Sequence, residues 1–161
     1  MTVKDVKKDP ATLTMVVTAE FNAPIERVWQ LWADPRLLER WWGPPTYPAT
    51  FVDHNLVPGG TATYFMTGPE GDKHHGWWRV LAVDAPHSFE VEDGFADDTG
   101  VPNPDLPVTT MRAVLVEEDG VTRVVITSTF PSIEAMEQLI SMGVEEGLRE
   151  AMGQMDAILA A

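Results

Sequence analysis

Polar and apolar residues alternate in short runs through most of this chain. Only near its end does the spacing change to that of a helix. From Ser132 to Ala161, the residues Ile133, Met136, Ile140, Val144, Leu148, Met152, Met155 and Leu159 recur at steps of three and four. That spacing lines one face of an α-helix and predicts about seven turns at about 3.6 residues each. Pro131 and Ser132 give the start signal. Ser132 is a capping residue, and Glu134 and Glu137 suit the positive end of the helix dipole. Met136, Met142, Met152 and Met155 give the helix an adaptable surface, because the thioether side chain is unbranched and polarizable.

The earlier runs read as strands. Residues 1–10 are polar and expected to be loose, and residues 11–161 are expected to form one domain. A strand is predicted from Ala11 to Phe21. Pro24 then suits the first turn of a short helix capped by Asn22 or Ala23, carrying Ile25, Val28, Trp29 and Trp32 and ending at Asp34-Pro35. A second short helix carries Leu37, Leu38, Trp41 and Trp42 and stops at Gly43-Pro44-Pro45. Strands follow at Ala49–Leu56, Thr61–Thr67, Lys73–Asp84, His87–Asp93, Pro107–Glu117 and Val121–Phe130. Turn residues such as Pro58-Gly59-Gly60 and Glu118-Asp119-Gly120 separate them. The stretch from Gly94 to Pro107 reads as an irregular acidic loop. The order predicts an α+β fold in which an antiparallel sheet of about seven strands curves over the long C-terminal helix.

Alternation assigns faces. The even positions Ala62, Tyr64 and Met66, then Gly76, Trp78, Val80 and Ala82, then Val124, Ile126, Ser128 and Phe130, are assigned inward. In the strand from Pro107, Met111, Ala113 and Leu115 are assigned inward, although Val108, Val114 and Val116 are apolar too. Six Trp in 161 residues, with the pairs Trp41-Trp42 and Trp77-Trp78, are hard to pack without gaps, and each indole N–H needs a partner. That excess points to an apolar pocket between sheet and helix. Its walls would be Trp41 or Trp42, Tyr64, Met66, Trp78, Met111, Met136 and Ile140. Taken singly, each of these also reads as ordinary core.

Charge and composition narrow the functions. A net charge of −14 repels phosphate backbones and anionic membranes, so neither nucleic acid nor membrane insertion is expected. No apolar run approaches the roughly 18 residues of a membrane span. With no signal-like segment and no Cys, a cytoplasmic location is expected. His54, His74, His75 and His87 show no metal-ligand spacing, so no metal or other cofactor is expected. His54 and His74 are candidate polar groups of the pocket, His54 being the better base candidate; a solvated His is the alternative. Arg112 either faces the pocket to pair with a carboxylate or lies on the surface. Glu90 and Glu92 share a strand face, as a carboxylate pair or as a solvated one.

Five motifs carry a resemblance: Ala23-Pro24-Ile25-Glu26-Arg27-Val28-Trp29, Trp41-Trp42-Gly43-Pro44, Pro58-Gly59-Gly60, Met66-x-Gly68-Pro69-x-Gly71, and Gly76 with Pro86 ten residues on. Over about residues 14–160 the chain resembles the homologues of the heat-shock-protein-90 ATPase activator. These belong to the START / Bet v 1-like (SRPBCC, polyketide cyclase-like) superfamily. The resemblance implies the helix-grip fold, a curved sheet gripping a long C-terminal helix around a hydrophobic cavity. It also implies binding of lipids, sterols, polyketides or other hydrophobic molecules, with cyclisation or sacrificial self-protection in a few members. Two departures stand out. Asn55 and Val57 replace an Asp-x-Arg pattern, and Gly147-Leu148 replaces a Gly-Trp pair, which implies a larger or reshaped pocket.

Three functions follow as expectations. The first is binding of a small hydrophobic or aromatic molecule. The second is a cofactor-independent cyclase, aromatase or hydrolase using a polar group at cavity depth. The third is a co-chaperone-like interaction domain. The chain is expected to be a monomer or homodimer.

Overall fold

The computed structural model describes residues 3–160. Eight antiparallel strands form one sheet in the order β1-β2-β8-β7-β6-β5-β4-β3. They are β1 Val3–Asp9, β2 Thr14–Phe21, β3 Ala49–His54, β4 Thr61–Thr67, β5 Lys73–Asp84, β6 Ser88–Ala96, β7 Thr109–Glu118 and β8 Val121–Thr129. Helices α1 Ile25–Ala33 and α2 Pro35–Leu38 link β2 to β3. The chain ends in α3 Ile133–Ser141, α4 Val144–Met152 and α5 Met155–Ala160. The curved, unclosed sheet and the C-terminal helical stretch make the helix-grip fold.

The eighth strand is the one the hydrophobic pattern misses. Val3–Asp9, expected to be loose, pairs with β2 from Asp9 opposite Thr14 to Val3 opposite Ala19. Only Val3 and Val6 of β1 reach the core, so little apolar signal marks it. Its Lys and Asp residues instead protect an outer edge from further pairing. Lys8 Nζ reaches Glu145 Oε1 at 2.6 Å and ties this edge to α4.

The C-terminal helix is also not continuous. Gly143 has φ of 89°, in the left-handed region that glycine enters without steric cost, and the helix breaks there. A second break at Gly153 separates α4 from α5. Ser132 caps α3 as expected, its Oγ accepting from Ala135 N at 3.0 Å. At α1 no side chain of the preceding loop caps the helix; Glu117 Oε1 on β7 accepts from Ile25 N at 2.7 Å.

Most inward assignments match the burial. Tyr64, Gly76, Trp78, Val80, Met111, Ala113, Leu115, Val124, Ile126, Ser128 and Phe130 are buried. Ala82 is the exception. A bulge between Val80 and Ala82 reverses the alternation, so Ala82 is exposed and Val83 packs on the core.

Candidate functional site

A cavity of about 490 Å³ lies between the inner face of the sheet and the α3–α4 bend. The strands give Met15, Tyr64, Met66, Asp93, Phe95, Thr109, Met111 and Ser128 to its wall. The loop after α2 gives Trp42, Pro44, Thr46 and Tyr47. Leu139, Met142, Gly143, Val144, Gly147, Leu148 and Glu150 close it from the helical side. The lining residues Thr46, Met142 and Glu150 are exposed and mark where it opens to solvent.

Two local devices shape this space. Gln154 Nε2 donates to Gly43 O at 2.7 Å and so anchors the Trp-Trp-Gly turn to the helical stretch. At Gly76 a Cβ would lie 2.4 Å from the Tyr64 ring. Without it, the ring lies across β5 and its hydroxyl donates to Asp93 Oδ1 on β6 at 3.2 Å.

The expected wall residues divide into two groups. Trp42, Tyr64, Met66 and Met111 line the cavity. Trp41, Trp78, Met136 and Ile140 do not. Trp41 is fully buried against Trp32 at 4.5 Å between ring centroids, and its Nε1–H donates to Leu31 O at 2.8 Å. Trp78 sits behind the wall among Trp42, Phe51 and Phe89. Met136 and Ile140 pack into the core.

None of the three polar candidates reaches the cavity. His54 is part-buried outside it, beside Phe51 and Trp78. Its Nε2–H donates to Trp32 O at 2.9 Å, and burial lowers its pKa, so the ring is neutral. His74 is exposed and pairs with Asp72 at 2.6 Å. Arg112 is exposed on the outer face, opposite Glu90 in register. Glu92 is on that outer face too, 2.8 Å from Arg79. Among the described residues no cluster of His, Asp or Glu could hold a metal ion.

A carboxyl that does line the cavity is that of Asp93, which the sequence reading left at the end of its strand. The strand runs on through Gly94 to Ala96, and there the Trp77 ring lies over Gly94, where a Cβ would be 2.6 Å away. Phe89, Val91, Asp93 and Phe95 therefore share the inner face. A carboxyl in an apolar alternation was the signal available.

Burial pushes the Asp93 carboxyl up to about 7, against the lowering effect of its Tyr64 and Trp78 neighbours. Burial and the nearby Asp93 charge push the Tyr64 hydroxyl well above its ordinary value. The indole N–H of Trp42 lies toward the Tyr64 oxygen and that of Trp78 toward Asp93, close enough to favour negative charge there. Neither completes a hydrogen bond, and both are buried without a partner.

A bent sheet, an interrupted C-terminal helix and a cavity between them define a START / Bet v 1-like protein. The chain belongs to the family of Activator of Hsp90 ATPase homolog 1-like proteins, which it matches over residues 22–160. It is similar to protein Ms6760 from Mycobacterium smegmatis at 55% identity, with 98% of this chain and 96% of that chain covered and a TM-score of 0.91. A protein from Arthrobacter aurescens is 50% identical, with 99% and 92% covered and a TM-score of 0.95. One from Staphylococcus epidermidis is 32% identical, with 99% and 94% covered and a TM-score of 0.82. Among curated proteins, none matches the chain. Among the described residues no helix is long and apolar enough to cross a membrane.

Proposed function

We propose that this protein binds a small hydrophobic or aromatic molecule in the cavity between the sheet and the α3–α4 bend. The observation that carries this reading is a space of about 490 Å³, lined mainly by Met, Leu, Val and aromatic side chains and open on one side. Ligand sites are concave, mostly apolar and of this size, with a few polar groups that orient the guest. Burying roughly 300 Å² of apolar surface at about 25 cal/mol per Å² gives about 7 kcal/mol, the scale of micromolar dissociation constants.

Titration with the uncharged dye N-phenyl-1-naphthylamine tests this. Saturable fluorescence enhancement at one dye per chain, with a rise in melting temperature, is expected, since binding to the folded state alone stabilises it. A linear, unsaturable signal with an unchanged melting temperature would defeat the reading.

A second reading, a cofactor-independent cyclase, aromatase or hydrolase, has one observation in its favour. Asp93 is a cavity carboxyl whose pKa of about 7 suits proton transfer, and Tyr64 stands beside it. Turnover of a polyketide-like substrate that Asp93→Asn abolishes, with its binding intact, would establish it over simple binding.

A further inference from the structure

The ligand-binding reading leaves open which molecule the cavity selects, and one corner of it is informative. Two polar groups of the lining meet there, the Asp93 carboxyl and the Tyr64 hydroxyl, and beside them lie the indole N–H groups of Trp42, on the wall, and of Trp78, behind it. A single hydrogen bond joins them, Tyr64 to Asp93, and at 3.2 Å it is longer than the usual O–H···O contact of about 2.7–2.8 Å. The two indoles are buried, 8% and 0% exposed, with their N–H groups unanswered. Buried polar groups left in this state cost stability, so the arrangement needs a reason.

The corner is also built. Tyr64 reaches Asp93 only because residue 76 is glycine, and the stacked Phe51 ring, 4.9 Å away, fixes the tyrosine in that pose. Around it the cavity lining holds two acidic residues, Asp93 and Glu150, and no Lys, Arg or His.

Resting on the ligand-binding reading, we propose that Asp93 and Tyr64 form a hydroxyl-reading subsite, and that the guest is an uncharged apolar molecule bearing an alcohol or phenol. A hydroxyl placed between them completes a chain in which its own donor and acceptor are both answered. Tyr64 O–H donates to the guest oxygen, and the guest O–H donates to Asp93. The Trp42 and Trp78 indoles, with N–H groups toward Tyr64 and Asp93, favour the negative charge at that end of the chain. Other groups fail one link. Above about pH 7, where Asp93 is ionised, a ketone accepts from Tyr64 but sets its oxygen against the carboxylate. An ammonium donates to Asp93 but offers Tyr64 no acceptor. A carboxylate meets Asp93 and Glu150 with nothing to neutralise it.

The test is a matched series of 2-naphthol, naphthalene, 2-naphthylmethylamine and 2-naphthoate, each competing with the bound dye. Wild type is expected to bind 2-naphthol about tenfold or more tighter than naphthalene, the yield of one charge-assisted hydrogen bond, and to bind 2-naphthoate least. In Asp93→Leu and Tyr64→Phe the preference for 2-naphthol should fall to within about twofold while naphthalene binding persists, which also shows that each variant is folded. Tyr64→Phe removes one oxygen and serves if Asp93→Leu does not fold. Equal affinity for 2-naphthol and naphthalene in wild type would overturn the subsite and leave the cavity reading standing. So would a hydroxyl preference that survives both variants, or tighter binding of the amine. If dye and all four probes fail to bind, the cavity reading falls and takes the subsite with it.

Discussion

The inner face of the sheet is solid at one end and hollow at the other, although the same strands supply both. On β6, Phe89 and Val91 are packed, whereas Asp93 and Phe95 border open space. On β7 the contrast is Leu115 and Ala113 against Met111 and Thr109; across β8 into Phe130 it is Val124 and Ile126 against Ser128 and Phe130. At the solid end α1 and the turn after α2 drive rings into the sheet. Trp32 contacts Trp41 at 4.5 Å and Phe89 at 5.1 Å, and Trp78 stacks on Phe89 at 6.2 Å. At the hollow end the facing element is a bent helical stretch that presents Gly143 and Gly147. Rigid rings meeting rings leave no gap; glycines facing Met, Ser and Thr leave one. The difference lies in what covers the sheet more than in the sheet itself.

The two ends should respond to truncation unequally. Trp32→Ala removes a fully buried ring that contacts Trp41, Trp42 and Phe89 at the solid end, and about 3–5 kcal/mol of stability is expected to go with it. Leu148→Ala only widens an existing space and should cost about 1 kcal/mol. Urea denaturation of both variants checks this, and equal losses would erase the distinction between the ends.

Next in size is a pH effect at the hollow end. Asp93 carries a folded-state pKa of about 7 against 3.8 unfolded. Between these values the folded chain keeps a proton that the unfolded chain has lost, so rising pH favours unfolding. The group's contribution is therefore full below about pH 4, declines as pH rises, and levels off above about pH 7. The full shift corresponds to about 4 kcal/mol, and water in the open cavity screens it to about 2. The stability of Asp93→Asn relative to wild type should rise by that amount between pH 4 and 7, as read by denaturation at each pH. Tyr64, whose hydroxyl burial pushes well above its ordinary value, stays protonated through this window. A difference that is flat with pH would mean that Asp93 is solvated.

Gly76→Ala should cost about 1–3 kcal/mol by forcing the Tyr64 ring off β5, and it should separate Tyr64 from Asp93. The smallest effect is a gain. Gly147 has open space where its Cβ would be, so Gly147→Leu should add about 0.5–1 kcal/mol through helix propensity while weakening dye binding by filling the cavity. Melting temperature and dye titration measure both together.

The fold was legible because period-two alternation and the final three-and-four spacing are properties of the chain's own apolar residues. What stayed hidden has little apolar signal. β1 is held by two valines and a neighbour's free edge, and Gly143 breaks a helix whose stripe continues past it in register. The cavity was expected from a surplus of tryptophan, yet the rings crowd the solid end, and of the six only Trp42 lines the space. Trp41 and Trp42 are adjacent on a turn, and only the tertiary contacts turn Trp41 to Leu31 and Trp42 to Tyr64. Asp93 was missed because Gly94 reads as the end of a strand. It is instead the place where β6 leaves room for Trp77.

Methionine methyl groups report on both ends at once. Met15, Met66, Met111 and Met142 line the cavity, while Met136, Met152 and Met155 are packed in the core. In a spectrum of the protein labelled with ¹³C at the methionine methyls, titration with 2-naphthol should shift the first four signals in a saturable, concerted way and leave the other three in place. Saturable shifts confined to the three core methionines, or no shift of Met15 and Met111, would contradict a ligand site beneath the α3–α4 bend.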